Sequence, residues 1–335
     1  MSKSHYFRTR GDREFSFSIP EPTNIDSFFV FSLPKAGSTL LMSIMSDVCR
    51  AMGIPVIDLP TRLFTLGIQP AELRNDINQL WQERGYAYTG FRSFLPPMKF
   101  DFSKTKNILL IRDPRDMLVS LYFSIRYSHV VPVPEGTDHP ISRQRATFQK
   151  IGINQAALKM AHAYSNYFQD YMRHLPESTT CVYRYEDIIF RKREWIEHML
   201  DFLGLRLQAR RIRVIAEKHD VRPDTENPKK HIRQVTPGNY KSHLSQATID
   251  KLDELLRPVM RHFHYDSGIS TEMGLETQRS NIQKTIGDLG SSGDNVAFLE
   301  RSSYTMRQSF SRLVPYPLRW LTSFLMKNKW RINKL

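Results

Sequence analysis

The sequence predicts an α/β protein of three layers, a central parallel sheet covered by helices on both faces, followed by a basic amphipathic tail. Three observations carry this. Short aromatic and β-branched runs at residues 27–33, 107–111 and 179–185 suit buried strands. Helical spacing fills residues 154–174, 194–205 and 249–263. Strands that alternate with helices pair in parallel, because each crossover returns the chain to the same end of the sheet.

Taken in order, residues 1–24 read as an exposed polar extension dotted with Arg, without the apolar core of a signal peptide. Residues 25–265 make the main domain. Its first strand ends at Pro34-Lys35-Ala36-Gly37, and a helical spacing follows at Leu41, Ile44, Met45 and Val48, which Gly53 is placed to end. Residues 266–300, rich in Ser, Gly, Thr and Asn, read as a polar linker. In the last segment, 301–335, Leu318, Leu321 and Leu325 line one helical face beside Trp320 and Phe324.

Composition narrows the classes. The 335 residues are 40% hydrophobic and 11% aromatic, a globular rather than a disordered balance. Cys49 and Cys181 lie far apart and make no metal or disulfide pattern, so a reducing compartment is expected. No apolar run approaches the roughly 20 residues that span a bilayer, which favours a soluble or peripheral cytoplasmic protein. A net charge of +14 calls for an anionic partner, and residues 301–335 alone hold eight Lys/Arg and no acid. That tail suits a membrane interface, with folding back on the domain or a homodimer contact as the alternatives.

The most informative stretch is FFVFSLPKAGSTLLM, residues 28–42. A buried strand turns into a helix whose first residues are Ser38 and Thr39, and a helix N-terminus offers unpaired N–H groups to an anion. Gly37 allows close backbone approach, Ser38 and Thr39 add hydroxyls, and Lys35 adds a full charge. A nucleotide-binding loop G-x-x-x-x-G-K-[ST] does not fit, because the lysine precedes the only glycine. A second element, IRDPRDMLVSLYFS, again leaves a strand for a helix. Arg112 stands at the strand end, Pro114 suits the first turn, Asp116 suits the helix N-terminus, and Ser120 follows one turn later. An Arg and a Ser facing one phosphate supply charge-assisted donors and a hydroxyl.

Together these elements resemble the P-K-x-G-[ST]-T and R-x-P-x-D-x-x-x-S-x-Y-x-S segments of sulfotransferases that use 3′-phosphoadenosine-5′-phosphosulfate (PAPS). The resemblance implies a P-loop NTPase-like fold and transfer of a sulfuryl group from PAPS to a hydroxyl acceptor (carbohydrate, lipid or small molecule), with release of PAP and no required metal. It assigns Lys35, Ala36, Gly37, Ser38 and Thr39 to the phosphosulfate loop, Lys35 also to catalysis, Leu40 to the cofactor at the position where many cytosolic members carry an adenine-side Trp, and Arg112 and Ser120 to the 3′-phosphate. Tyr185, in a Y-E-D-like element, falls near the adenine, with Glu186 and Asp187 structural. Arg233, in HIRQVTPGNYKSHLS, becomes a further 3′-phosphate ligand, although Gln234, Val235 and Tyr240 depart from the family pattern.

The same resemblance exposes a gap. Where the cytosolic branch carries a basic His in K-T-H-x-P, this chain reads Arg92-Ser93-Phe94-Leu95-Pro96. Arg92 can replace the lysine near the sulfuryl group, but Phe94 accepts no proton. Asp58 is the candidate base, since other branches use an acidic residue after the first helix; capping a loop is its alternative role. His129 and His139 lie in a loop where an acceptor could bind, with solvated loop histidines the plainer reading. A P-loop-like nucleotide or small-molecule kinase is the second functional class and a non-enzymatic nucleotide- or nucleic-acid-binding protein the third. Lys35, Ser38, Thr39, Arg112 and Ser120 together exceed what electrostatic binding of nucleic acid requires.

Overall fold

The computed structural model describes residues 3–132, 139–223, 225–227 and 233–266. The linker beyond residue 266 and the tail 301–335 read from the sequence lie outside the described residues. The chain opens with an antiparallel hairpin, β1 (Lys3–Arg8) and β2 (Glu14–Ile19). Residues 1–24 are therefore not simply an exposed extension: Phe7, Phe15 and Ile19 alternate inward and are buried in the main core.

Five strands form the parallel sheet: β3 (Phe28–Ser32), β4 (Val56–Ile57), β5 (Ala87–Phe91), β6 (Lys106–Ile111) and β7 (Thr180–Arg184), in the order β4-β5-β3-β6-β7. The three strands expected from sequence are β3, β6 and β7. The remaining two carry weaker signals, since β4 has two residues and β5 contains Gly90. Both central faces are covered, so β3 and β5 are buried at every position. Phe29 and Phe31 anchor one face, the Phe29 ring 4.5 Å from Tyr88 and the Phe31 ring 5.4 Å from Tyr171.

The helices are α1 (Ser38–Met52), α2 (Leu59–Thr65), α3 (Pro114–Phe123), α4 (Pro140–Lys150), α5 (Ile153–His174), α6 (Tyr185–Ile188), α7 (Lys192–Leu203), α8 (Ala209–Lys218), α9 (Tyr240–His243), α10 (Gln246–Leu255) and α11 (Arg257–His262). In α1 the face Leu41, Ile44, Met45 and Val48 is buried, as its spacing requires, and Gly53 closes the helix at φ +68° with its N–H on Arg50 O. The last helical stretch divides at Leu256, because Pro258 in the first turn of α11 has no N–H to continue α10. A single π-helical turn, Ser124–Ser128, extends α3 beyond the site-bearing turns. No helix among the described residues is long and apolar enough to cross a membrane.

Candidate active site

Parallel strands all end at one edge, and here each of the five ends delivers a residue of interest. In spatial order these are Asp58 after β4, Arg92 after β5, Lys35 three residues after β3, Arg112 after β6 and Tyr185 after β7. Open α/β sheets bind ligands outside the carboxyl ends of their strands.

The loop after β3 is built for close approach. Lys35 adopts φ +70° and Gly37 φ +94°, left-handed conformations that turn successive N–H groups to one side. Left-handed backbone is costly for a residue with a Cβ, and such positions cluster at functional sites. Gly37 caps α1 without a side-chain acceptor, and the first N–H returned along the helix is that of Leu41, to Gly37 O at 3.1 Å. The N–H groups of Ser38, Thr39 and Leu40 thus precede the intrahelical ladder. Ala36 and Ser38 are buried, Leu40 is half-buried and Thr39 is exposed. A Cβ on Gly37 would lie 2.9 Å from Cδ2 of Tyr185, so glycine is required by space as well as by φ.

Four cations converge on this cradle. Burial, followed by the charges of Arg92, Arg112 and Arg233, lowers the Lys35 ammonium to a pKa of about 8. Lys35 has no hydrogen-bond or ion-pair partner among the described residues. Arg92 donates from Nε to Ser38 Oγ at 3.2 Å, and burial lowers its pKa against the pull of Asp58. Arg112 donates from Nη2 to Asp116 Oδ2 at 3.0 Å and lies over the Tyr185 ring at 4.5 Å. Burial opposes its charge, yet Asp116, Tyr185 and Glu186 outweigh this and hold its pKa above the ordinary value. Its Nε is buried without a partner among the described residues.

A cluster with this excess of positive charge suits an anion. Buried charges are normally paired, and an orphaned guanidinium N–H beside an unpartnered lysine leaves donors for phosphate oxygens. Arg233 belongs to the same field but is engaged, donating to Glu226 and Asn239, with Nη1 3.4 Å from His243 Nε2 and its guanidinium 4.6 Å from the Phe123 ring centre. Ser120 is half-buried one helical turn beyond Asp116, and its hydroxyl has no hydrogen-bond partner among the described residues.

Sequence reasoning missed how much rests on Asp116. Its Oδ2 accepts from Arg112 and from Gly238 N at 2.9 Å, and its Oδ1 from Tyr240 N at 2.8 Å. It is a buried brace that ties the late segment to α3, and no local signal identifies partners more than a hundred residues away. Glu186 similarly accepts from Asp113 N at 2.8 Å and from the Tyr265 hydroxyl at 3.0 Å, while burial raises its pKa to about 7. The Tyr185 hydroxyl donates to Val235 O at 3.2 Å, and its pKa is pushed up to about 12, chiefly by burial.

On the acceptor flank, Asp58 caps α2, its Oδ1 accepting from Thr61 N at 3.0 Å. Phe94 turns into the aromatic layer, its ring 4.2 Å from that of His174. His139 is not a solvated loop residue: it is 6% exposed, and its Nδ1 accepts from Ile141 N at 3.2 Å to cap α4. The ring of His129 meets that of Phe64 of α2 edge-on at 6.3 Å, with Nδ1 3.4 Å from Ser124 Oγ.

Residues 26–264 match the model of the sulfotransferase domain. The chain belongs to the sulfotransferase family. A sulfotransferase relative, Sulfotransferase 6B1 of Danio rerio, is 21% identical over 238 residues, covering 69% of this chain and 77% of the relative. Among solved structures, mouse sulfotransferase SULT7A1 complexed with PAP is 17% identical, with a TM-score of 0.48, over 72% of this chain and 85% of that one. Retinol dehydratase in complex with androsterone and PAP is 16% identical, with a TM-score of 0.44, over 75% and 84%. Membership in the sulfotransferase family makes the chain a sulfuryl-transferring enzyme, and the kinase alternative is not favoured.

Proposed function

We propose that the protein transfers the sulfuryl group of PAPS to a hydroxyl-bearing acceptor. The observation that supports this most directly is the convergence of Lys35, Arg92, Arg112 and Arg233 on a loop whose lysine has no counter-anion among the described residues. The donor supplies an activated sulfuryl group and leaves as PAP. The turn N–H groups with Ser38 and Thr39 hold its 5′-phosphate end, and Lys35 stabilises the negative charge that grows on the bridging oxygen. Arg112, through its free Nε, holds the 3′-phosphate together with Ser120 and Arg233. The Tyr185 ring borders the adenine, with Leu40 on its other side.

Arg92, carried by the loop after β5, orients the transferring group, and Asp58 takes the proton from the acceptor hydroxyl. Fixed charge and positioning do most of the work in such displacements, a logic extended here from phosphoryl transfer. Cytoplasmic localisation, and contact of the basic segment 301–335 with anionic membrane, complete the reading. Liposome flotation with and without that segment checks the membrane contact, and equal flotation refutes it.

The deciding experiment is calorimetric titration of the full chain with PAP, with ATP and AMP as controls and Arg112→Ala in parallel. Binding that needs the 3′-phosphate and is lost in Arg112→Ala is expected. ATP binding without preference for PAP would sink the assignment. Asp58 is tested separately: Asp58→Asn should lower turnover at saturating substrate, and an unchanged rate removes it as the base.

A further inference from the structure

The pairing of β5 with β3 contains an irregularity beside the site. Phe28 and Phe29 pair with Ala87 and Tyr88, but the next matched pair is Phe31 with Phe91. Two steps along β3 thus correspond to three along β5, and the extra residue falls at Thr89-Gly90. The rings agree: Tyr88 lies 4.5 Å from Phe29 and Phe91 lies 5.0 Å from Phe31, on one face despite their odd separation. Bulges of this kind are rare in parallel pairs and recur next to active sites, where they re-aim a side chain.

The consequence follows from the two-residue period of a strand. In an unbroken strand residues 88, 90 and 92 share a face, and Arg92 would point into the layer of Phe29, Phe31 and Phe102. With the extra residue it reaches the opposite side, where its Nε donates to Ser38 Oγ at 3.2 Å. Ser32 Oγ donates to Phe91 O at 3.1 Å and fixes the strand end just beyond the bulge.

Gly90 has a second role. Its φ is +88°, a region unfavourable for L side chains, and a Cβ there would lie 1.9 Å from Asp58 Oδ1 and 2.7 Å from its Cγ. The carboxylate therefore rests directly on the Gly90 backbone. It cannot simply swing aside, since Oδ1 also holds Thr61 N. β4 pairs with β5 at Val56 and Ile57 and stops immediately before Asp58, so the carboxylate meets β5 at the bulge itself.

We propose that Gly90 is a positioning residue for the acceptor half of the site, its bulge turning Arg92 toward the phosphosulfate loop and its bare Cα seating the Asp58 carboxylate. The inference rests on the roles given above to Arg92 and Asp58.

The test uses the full chain, PAP as the binding probe, and turnover of sulfur-35-labelled PAPS with water as acceptor, read as released sulfate. Gly90→Ala should bind PAP within about twofold of the natural chain yet release sulfate at least about tenfold more slowly. In an Asp58→Gly background, the added Gly90→Ala should cost at least about threefold less rate than it does with Asp58 present, because the overlapped atoms are gone and only the backbone strain remains. Thermal unfolding repeats the cycle independently of turnover: Gly90→Ala should lower Tm more with Asp58 present than with Asp58→Gly.

Turnover of Gly90→Ala within about twofold of the natural chain, or equal losses of rate and Tm in both backgrounds, overturns the proposal. If Gly90→Ala fails to fold and bind PAP, Gly90→Ala/Asp58→Gly should recover binding, and no recovery overturns it as well. Failure of the underlying reading looks different. A natural chain that does not bind PAP removes the donor assignment, and natural turnover in Asp58→Gly removes Asp58 as base while leaving the Tm cycle to decide the contact.

Discussion

Raising the pH from 7 to 9 should weaken PAP binding through one side chain. Lys35 has a pKa of about 8 in the free protein because it is partly desolvated and faces the charges of Arg92, Arg112 and Arg233. A bound anion reverses that balance and restores the proton, so binding requires the ammonium form. If only that form binds, the apparent Kd rises by a factor of 1 + 10^(pH − pKa), about 1.1 at pH 7, about 2 at pH 8 and about 11 at pH 9. The loss from pH 7 to pH 9 is thus about tenfold, or about 1.4 kcal/mol. Calorimetry in buffers of differing ionisation enthalpy should register uptake of about half a proton per PAP at pH 8. Lys35→Arg keeps its charge throughout and should bind without this slope. A Kd that is equal at pH 7 and pH 9, or a slope that persists in Lys35→Arg, refutes the reasoning. Stability of the free protein moves the opposite way. Above about pH 8 the folded state sheds a proton that the unfolded chain keeps until near 10.5, so stability rises across that window.

Three further outcomes are expected. Asp116→Ala strands a buried Arg112 and two backbone N–H groups and should cost about 3–5 kcal/mol in chemical denaturation, with PAP binding weakened as well. Gly37→Ala should lose about 1–2 kcal/mol to left-handed strain and displace the Tyr185 ring, weakening PAP binding at least as much as it lowers Tm. Glu186, with a pKa of about 7 when folded against an ordinary 4.5, gives stability that is full below pH 4.5 and is lost as pH rises through 7. Glu186→Gln should therefore unfold at nearly the natural temperature at pH 5 and at a higher one at pH 8, read by differential scanning calorimetry.

What the sequence reveals here follows the range of the physics involved. The loop Lys35–Thr39 and the element Arg112–Ser120 are local, each a strand end running into a helix start, and both are legible from residue type and order alone. The hairpin of Phe7, Phe15 and Ile19 carries a readable alternation in EFSFSI that its polar, charged surroundings obscure. β5 is harder to see, because Gly90 breaks both β-propensity and period at the point where the bulge places Arg92. Asp116, Glu186 and the seat of Asp58 depend on partners brought together only by the sheet, and the sequence holds no local mark of them. Phe94 illustrates the converse: its inability to accept a proton is plain from residue type, while its stacking on His174 is not.

The order of the strands also divides the enzyme into an inherited half and an adjustable one. Lys35 and Arg112, assigned to the donor, follow β3 and β6, interior strands paired on both sides, whereas Asp58 sits behind a two-residue strand at one margin. Changes in residues 54–86 can thus alter the acceptor side while the central pairings stay intact. Transplanting that segment between relatives should exchange acceptor preference while leaving the affinity for PAP with the recipient.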